Sequence, residues 1–320
     1  VFRRGKLIAL AAAALALVWL VGGWYAPGPL GKDAELIVPG GSSLAAVADR
    51  LAEKGAVTSA QTFRLRARIF GGGAPIKAGS FLLPGGASQS TLLDILQGGK
   101  VIRRFVTVPE GMPSIMVMER LAAQGDLTGT ISAPEEGSVL PDTYEISIGE
   151  PRGAVILQMQ AAMQRTLKEL WAKRSPRTVA KTPEEALVLA SIVEKETGKP
   201  SERAMVAGLY SNRLRKGMML QADPTIIYPI TKGKPLGRRI RQSEIAAVND
   251  YNTYSMVGLP KGPITNPGRA SIEAVLNPAE TDALYMVADG TGGHAFAGTL
   301  DEHNRNVAKW FAIRRARGEI

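Results

Sequence analysis

The chain has 320 residues, no cysteine, two histidines and a net charge of +10. Without a thiol, disulfide frameworks, thiolate metal sites and thiol nucleophiles are excluded, and His294 and His303 alone argue against an imidazole-rich metal centre, so no metal or organic cofactor is expected. The positive charge is spread out, with local clusters at "RLRAR", "GRRIR" and "IRRARGE". No nucleic-acid-binding module accompanies them, so attraction to anionic lipid headgroups or to a nearby anionic polymer is expected instead of nucleic acid.

At the N-terminus, Arg3, Arg4 and Lys6 precede 19 uncharged residues, Leu7 to Tyr25. As a helix these cover about 28 Å, against a hydrocarbon core of roughly 30 Å. A cleaved signal peptide also begins with basic residues and an apolar run. The length of this run, Trp24 and Tyr25 as interfacial anchors, and Pro27 where a cleavage site needs small residues favour an uncleaved anchor. The positive-inside bias then gives a cytoplasmic tail at residues 1–6, a transmembrane helix at 7–25, and everything beyond about Gly28 outside the cytoplasmic membrane.

The exported part is long enough for two domains. "ELIVPGGSSLAAVADRLAEKG", "GSFLLPGGASQSTLLDILQGG" and "RFVTVPEGMPSIMVMERLAAQG" each read as a strand, a turn at Pro39, Pro84 or Pro109, and an amphipathic helix closed by glycine. Either a weak repeat or convergent use of Pro-Gly turns explains them. Residues 33–104 form a small α+β module. A larger α+β domain at 105–320 follows, its lead-in at 105–180 carrying the extended "SVLPDTYEISIG" and the helix "EPRGAVILQMQAAMQRTLKELWAKR".

"TPEEALVLASIVEKETG" predicts a helix from about Pro183 to Thr197, with Thr182 as N-cap, Pro183 first, Glu185 completing a capping box and Gly198 at the stop. Leu189, Ile192, Val193 and Glu196 share one face, while Glu194 continues the strip through Leu187, Ala190 and Ser191. Glu196 therefore extends the buried stripe, where the charged form of a carboxyl is disfavoured. Raising a glutamate from about 4.3 to near 7 costs roughly 3.7 kcal/mol, within reach of burial. The plainer alternative is a solvated helix end with Lys195 and Lys199 offsetting the charges.

A second helix, "SERAMVAGLYSNRLRKG", with Ser201 as cap and Gly217 as stop, completes a helical hairpin. "LQADPTIIYPI" and "NDYNTYSMVGLPKGPITNPG" then read as rigid loops carrying groups suited to a sugar. Gln221, Asp223, Asn252 and Thr253 offer hydrogen bonds, and Tyr228, Tyr251 and Tyr254 offer flat faces with a polar edge. Asp223, before Pro224, is biased to an extended or turn conformation.

"LASIVEKETG", "NRLRKGMMLQADPTIIY", "YNTYSMVGLPKGPITNPG", "LYMVADGTGGHAF" and "EHNRNV", in this order, resemble the endolytic murein transglycosylases, the MltG-like or YceG-like family. Upstream, "LPDTY" and the "IVPGGSSLAAVADRLAEKGAV" module, similar to that family's LysM-like part, extend the resemblance from about Glu35 to Val307. It implies one membrane anchor and a catalytic domain on the periplasmic face. The implied reaction is non-hydrolytic cleavage of the β-1,4 bond between N-acetylmuramic acid and N-acetylglucosamine in nascent peptidoglycan strands, leaving 1,6-anhydro ends and ending strand elongation. Cell-wall synthases are the implied neighbours.

The family's catalytic glutamate falls on Glu196, with Glu194 as the alternative. Gln221, Asp223, Tyr228, Asn252, Thr253 and Tyr254 are the expected substrate-binding residues. Lys261, where the family has a second proline, is a departure in a cleft loop that bears on substrate preference. His294, in a hairpin, and His303, in a first helical turn capped by Thr299 and Glu302, read as structural. Two rival readings remain: a muramidase-type hydrolase using Asp223 or Glu194 to activate water, and a non-catalytic glycan-binding scaffold for wall synthesis.

Overall fold

The computed structural model describes residues 2–320, with side chains from Lys6 onward, so the side chains of Arg3 and Arg4 in the expected cytoplasmic tail lie outside the described residues. The chain divides into two units, one ending at Arg104 and one running Phe105–Ile320.

The first unit begins with α1 (Phe2–Tyr25). Its stretch Lys6–Tyr25 has a mean hydropathy of 2.2 and is long and apolar enough to cross a membrane. Leu10, Leu15 and Val18 lie exposed along it. Strands β1 (Ala34–Val38) and β2 (Gly79–Leu83) pair antiparallel, Ala34 opposite Leu83 and Val38 opposite Gly79. Helices α2 (Leu44–Glu53) and α3 (Ala60–Phe70) lie between them in sequence, and α4 (Gln89–Gly98) follows. The period-2 face Leu36, Val38, Phe81, Leu83 meets Val47 and Leu51 of α2, Phe63 of α3 and Leu92 and Leu96 of α4 in one core.

Trp24 joins that core. It is 3% exposed, its ring 6.3 Å from Phe63 and 5.8 Å from Phe70. The expected interfacial anchor is therefore a core residue, because the last turn of α1 docks onto the module; Tyr25 remains exposed. The following "APGPLG" is also pinned: Gly28 N–H donates to the Gly86 carbonyl at 3.1 Å, and Gly86 N–H to that of Leu30 at 2.7 Å.

The repeated Pro-x-Gly turns share a backbone conformation. Gly41, Gly86 and Gly111 have φ of +75°, +72° and +72°, a left-handed region that costs glycine little. Ser43 and Ser88 then cap α2 and α4, whereas Pro113 precedes α5 (Ser114–Ala122) without a side-chain cap.

Strand β3 (Arg104–Thr107), which opens on the last residue of the first unit, pairs with β4 (Thr143–Ile146), and in the second unit Val106, Val117, Leu121, Val139 and Val155 form a core beneath them. The larger core surrounds α7 (Pro183–Glu196), contacted by α6 (Arg152–Ala172), α8 (Arg203–Arg215), α9 (Asp223–Thr231) and α11 (Arg269–Leu276). A short α10 (Gln242–Ile245), the hairpin of β5 (Tyr285–Ala288) and β6 (His294–Ala297), and α12 (Leu300–Ala316), closed by the Thr299–Glu302 capping box, complete the unit.

Four expectations are corrected. The middle of helix α7 is buried on all sides, with Ala186, Leu189, Ala190, Ser191, Ile192 and Val193 fully covered, so the buried surface is wider there than a single stripe. The Glu185 carboxylate accepts from Lys181 N–H at 2.6 Å and not from the N-cap amide, so only the Thr182 half of the box forms. A 3-10 turn, Pro200–Glu202, precedes α8, displacing Ser201 as cap. "ADPTIIYPI" is helix α9, not loop; Asp223 and Pro224 open it where a missing proline N–H has no partner to lose.

Candidate active site

Helix α7 delivers two carboxylates at its C-terminal end, and their surroundings differ. The Glu194 side chain is 5% exposed; its Oε2 accepts from Gly268 N–H at 2.9 Å and its Oε1 lies 3.7 Å from an Arg203 Nη2. Arg203 in turn bonds Glu110 at 2.8 Å. Glu194 thus joins α7 to the start of α11 and to α8, its charge matched on both oxygens.

Glu196 has no such match. Its Oε1 is buried with no hydrogen-bond partner. Burial raises its pKa from 4.5 to about 7; the Asp223 charge adds to the rise, while the Tyr210 hydroxyl and the Arg213 guanidinium oppose it. The carboxylate lines a cleft of 390 Å³ shared with Tyr210, Arg213, Gln221, Asp223, Tyr254 and His294. That volume suits a small ligand or a segment of a polymer.

The cleft is held by buried polar groups. Arg213, 9% exposed, donates through Nε to the Leu284 carbonyl at 2.6 Å and through Nη1 to the Leu220 carbonyl at 2.8 Å. Gln221, at φ +53°, is one of two non-glycine residues with positive φ among the described residues, a strained conformation at the cleft wall. Its N–H donates to the Thr253 carbonyl at 3.1 Å. Tyr254 donates its hydroxyl to Asp223 Oδ1 at 2.6 Å. Burial, then Glu196, raises the Tyr210 pKa well above the usual phenol value, so Tyr210 stays a hydroxyl donor.

Glu202 links the end of α7 to the β5–β6 hairpin. Its Oε2 lies 2.8 Å from His294 Nδ1 and accepts from the Thr197 hydroxyl at 3.2 Å, and its Oε1 accepts from His294 N–H at 3.1 Å. This bond fixes the ring and its tautomer at the cleft edge.

Of the expected binding residues, Gln221, Asp223 and Tyr254 meet Glu196 in the cleft. Asn252 and Thr253 do not line it: both are 0% exposed and act as struts. Asn252 Nδ2 donates to the Ile245 and Ala247 carbonyls at 2.9 and 2.6 Å, and its Oδ1 accepts from Tyr254 N–H at 3.0 Å. Thr253 Oγ1 accepts from Ala222 N–H at 3.0 Å and lies 2.9 Å from Thr225 Oγ1.

Tyr228 packs on Tyr251 at 4.8 Å and beside Glu136, whose pKa burial raises. Lys261 lies apart from the Glu196 cleft and pairs with Asp250 at 3.1 Å. His303 stacks on Tyr285 at 5.3 Å.

Sequence reasoning missed Tyr210, Arg213 and Glu202. Val206, Tyr210 and Arg213 continue a buried face of α8 at offsets of four and seven, the same signal that singled out Glu196. A second groove of 460 Å³, lined by Met112, Met116 and Pro235, shares Lys195, Pro224 and Ile227 with the cleft. Among the described residues no cluster of three or more His, Asp or Glu side chains is arranged to hold a metal.

A polar cleft around a buried carboxylate with one oxygen unpartnered, carried on a mixed helix and sheet framework, is the architecture of an acid–base enzyme. The YceG-like family model matches residues 36–309, and the chain belongs to that family. An endolytic murein transglycosylase of Bacillus subtilis (strain 168) is 28% identical over 89% of this chain and 88% of its own length. One from Streptococcus pneumoniae (serotype 2) is 29% identical over 85% of this chain, which spans 57% of that relative. A crystal structure of a YceG-like protein from Listeria monocytogenes superposes with a TM-score of 0.54 at 25% identity, covering 86% of this chain and 98% of that one.

Proposed function

We propose that the chain is a membrane-anchored endolytic lytic transglycosylase of peptidoglycan with Glu196 as both acid and base. The observation that carries this is the buried, unpartnered Glu196 Oε1 facing a polar cleft, with a pKa raised to about 7. The names of the relatives supply the substrate.

Protonated Glu196 donates to the glycosidic oxygen as the muramyl C1–O bond breaks through an oxocarbenium-like state. The resulting carboxylate takes the proton from the muramyl C6 hydroxyl as that oxygen bonds to C1. The product is a 1,6-anhydro end, no water is consumed, and Glu196 is again protonated. One carboxylate serves both steps because the nucleophile belongs to the sugar, unlike in the two-carboxylate hydrolases. Tyr210 and Arg213 steady the carboxylate form between the steps. Gln221, Asp223, Tyr254 and His294 grip the strand, and the adjoining groove gives it room to continue past the cleft, as cleavage within a strand requires.

Helix α1 supports the anchor, and the basic N-terminal residues support an N-terminus inside with both units on the periplasmic face. Residues 33–104 then act as a LysM-like glycan-binding module and 105–320 as the catalytic domain, working on nascent strands beside the wall synthases and ending their growth.

A muramidase is the second reading, favoured by Asp223 lining the same cleft as Glu196. Digestion of purified peptidoglycan by the full chain in detergent, with products read by mass spectrometry, separates the two. Anhydro ends support the transglycosylase; reducing ends, heavier by one water, mean hydrolysis. Absence of cleavage by folded protein, or full cleavage by Glu196→Gln, overturns the assignment.

A further inference from the structure

We propose that α3 is a second membrane contact, lying in the headgroup and acyl boundary beside α1 with Leu65 and Ile69 immersed in lipid. This rests on the reading of α1 as a membrane span.

The inference begins with Arg66, 5% exposed. Its Nη2 donates to the Trp19 carbonyl at 2.8 Å, its Nη1 to that of Gly23 at 3.1 Å, and its guanidinium lies 4.6 Å from the centre of the Trp19 ring. The Gly23 carbonyl is among the last four of α1, which lack helical partners, and both carbonyls lie toward the C-terminal end, where the helix dipole favours a cation. Gly23 makes the approach possible, since a Cβ there would stand 2.1 Å from the Arg66 Nη2.

The consequence is one of depth. Trp19 precedes the end of α1 at Tyr25 by about 9 Å along the axis. The apolar stretch Lys6–Tyr25 has 20 residues, about the length needed to cross a hydrocarbon core of roughly 30 Å. No turn is therefore spare to stand the module clear of the membrane. The contacts at Trp19 and Gly23 lie about 9 and 3 Å below the level of the span's end, a range that overlaps the roughly 5–10 Å depth of an in-plane amphipathic helix.

The outward face of α3 suits that position. Gln61, Leu65, Arg68 and Ile69 are exposed, Leu65 at 46% and Ile69 at 53%, one turn apart on the same side. Arg64 and Arg68 flank them with stems long enough to reach anionic headgroups. Trp19, 54% exposed at the same level of α1, takes the interfacial role that Trp24 does not.

The cysteine-free chain allows a direct test. The full chain, carrying Leu65→Cys, Ile69→Cys, Leu15→Cys or Leu82→Cys labelled with an environment-sensitive dye, is reconstituted in phosphatidylcholine–phosphatidylglycerol vesicles containing lipids with an acyl-chain nitroxide. The expected result is a blue shift and loss of most emission at 65 and 69, as at 15 within the span, with little change at 82 on β2. Quenching at 15 without quenching at 65 and 69 overturns the proposal and leaves the anchor standing. Equal quenching at 82 also overturns it, and an unquenched label at 15 defeats the anchor reading itself.

Discussion

Glu194 and Glu196 leave the same turn of α7, and the protein treats them in opposite ways. Glu194 is packed against a backbone N–H and within reach of Arg203, its charge absorbed by the fold. Glu196 keeps a buried oxygen without a partner and faces a cleft. Burial alone does not single out a candidate acid; burial that leaves one carboxylate oxygen without a donor does.

Removing the ionisable group from each side sharpens the contrast. Under the proposed mechanism, in which one group supplies acid and base in turn, Glu196→Gln is expected to lower the release of anhydro ends by about 10³-fold or more. The same substitution should stabilise the protein. The folded Glu196 holds its proton up to about pH 7 while its ordinary value is 4.5. The folded state thus loses stability as pH rises from 4.5 to 7. By pH 8 glutamine recovers up to about 3 kcal/mol, read as a raised urea midpoint that is absent at pH 4. An unchanged midpoint at pH 8 would show that the carboxylate is solvated.

Glu194→Gln should do the reverse, costing about 2 kcal/mol of stability because Arg203 and Gly268 lose a charged acceptor, with turnover per folded molecule retained. Loss of turnover without loss of stability would exchange the roles of the two residues.

A finer test uses pH. With Glu196 required in its acid form, kcat/KM declines above a pKa of about 7. Asp223→Asn removes a negative charge that raises this pKa, so the alkaline limb moves to lower pH. A limb that stays in place removes Asp223 from the electrostatics of the acid. The smallest effect is expected at the rim: Glu202→Gln frees the His294 ring, raising KM several-fold, about 1 kcal/mol, with the alkaline limb unmoved. A change in the limb would mean that His294 itself takes part in proton transfer.

What the sequence made legible was local or periodic. Thr182, Pro183 and Thr299 announce helix starts because a cap needs only its own next few amides. The phase of Leu189, Ile192 and Val193 pointed at Glu196 because three side chains on one face define a direction.

The burial of Glu194 was hidden, since periodicity records one covered face and the middle of α7 is covered on all of them. Asn252 and Thr253 looked like sugar ligands, yet their polar atoms satisfy buried backbone and neighbouring hydroxyls, a need created by tertiary packing. Trp24 misled for a related reason: an aromatic at the end of an apolar helix suits a bilayer interface and a protein core equally well.

The joint at Gly23 and Arg66, with Gly28 and Leu30 bonded to Gly86, bears on mechanics. A flexible tether would let its cargo roam a volume that grows with linker length. On the reading of α1 as a membrane span, the anchor is built into its load like a post set in a footing, with no slack at the collar. On that reading the height at which the first unit rides is a fixed gauge, and a bulky residue at position 23 would turn that gauge into a swivel.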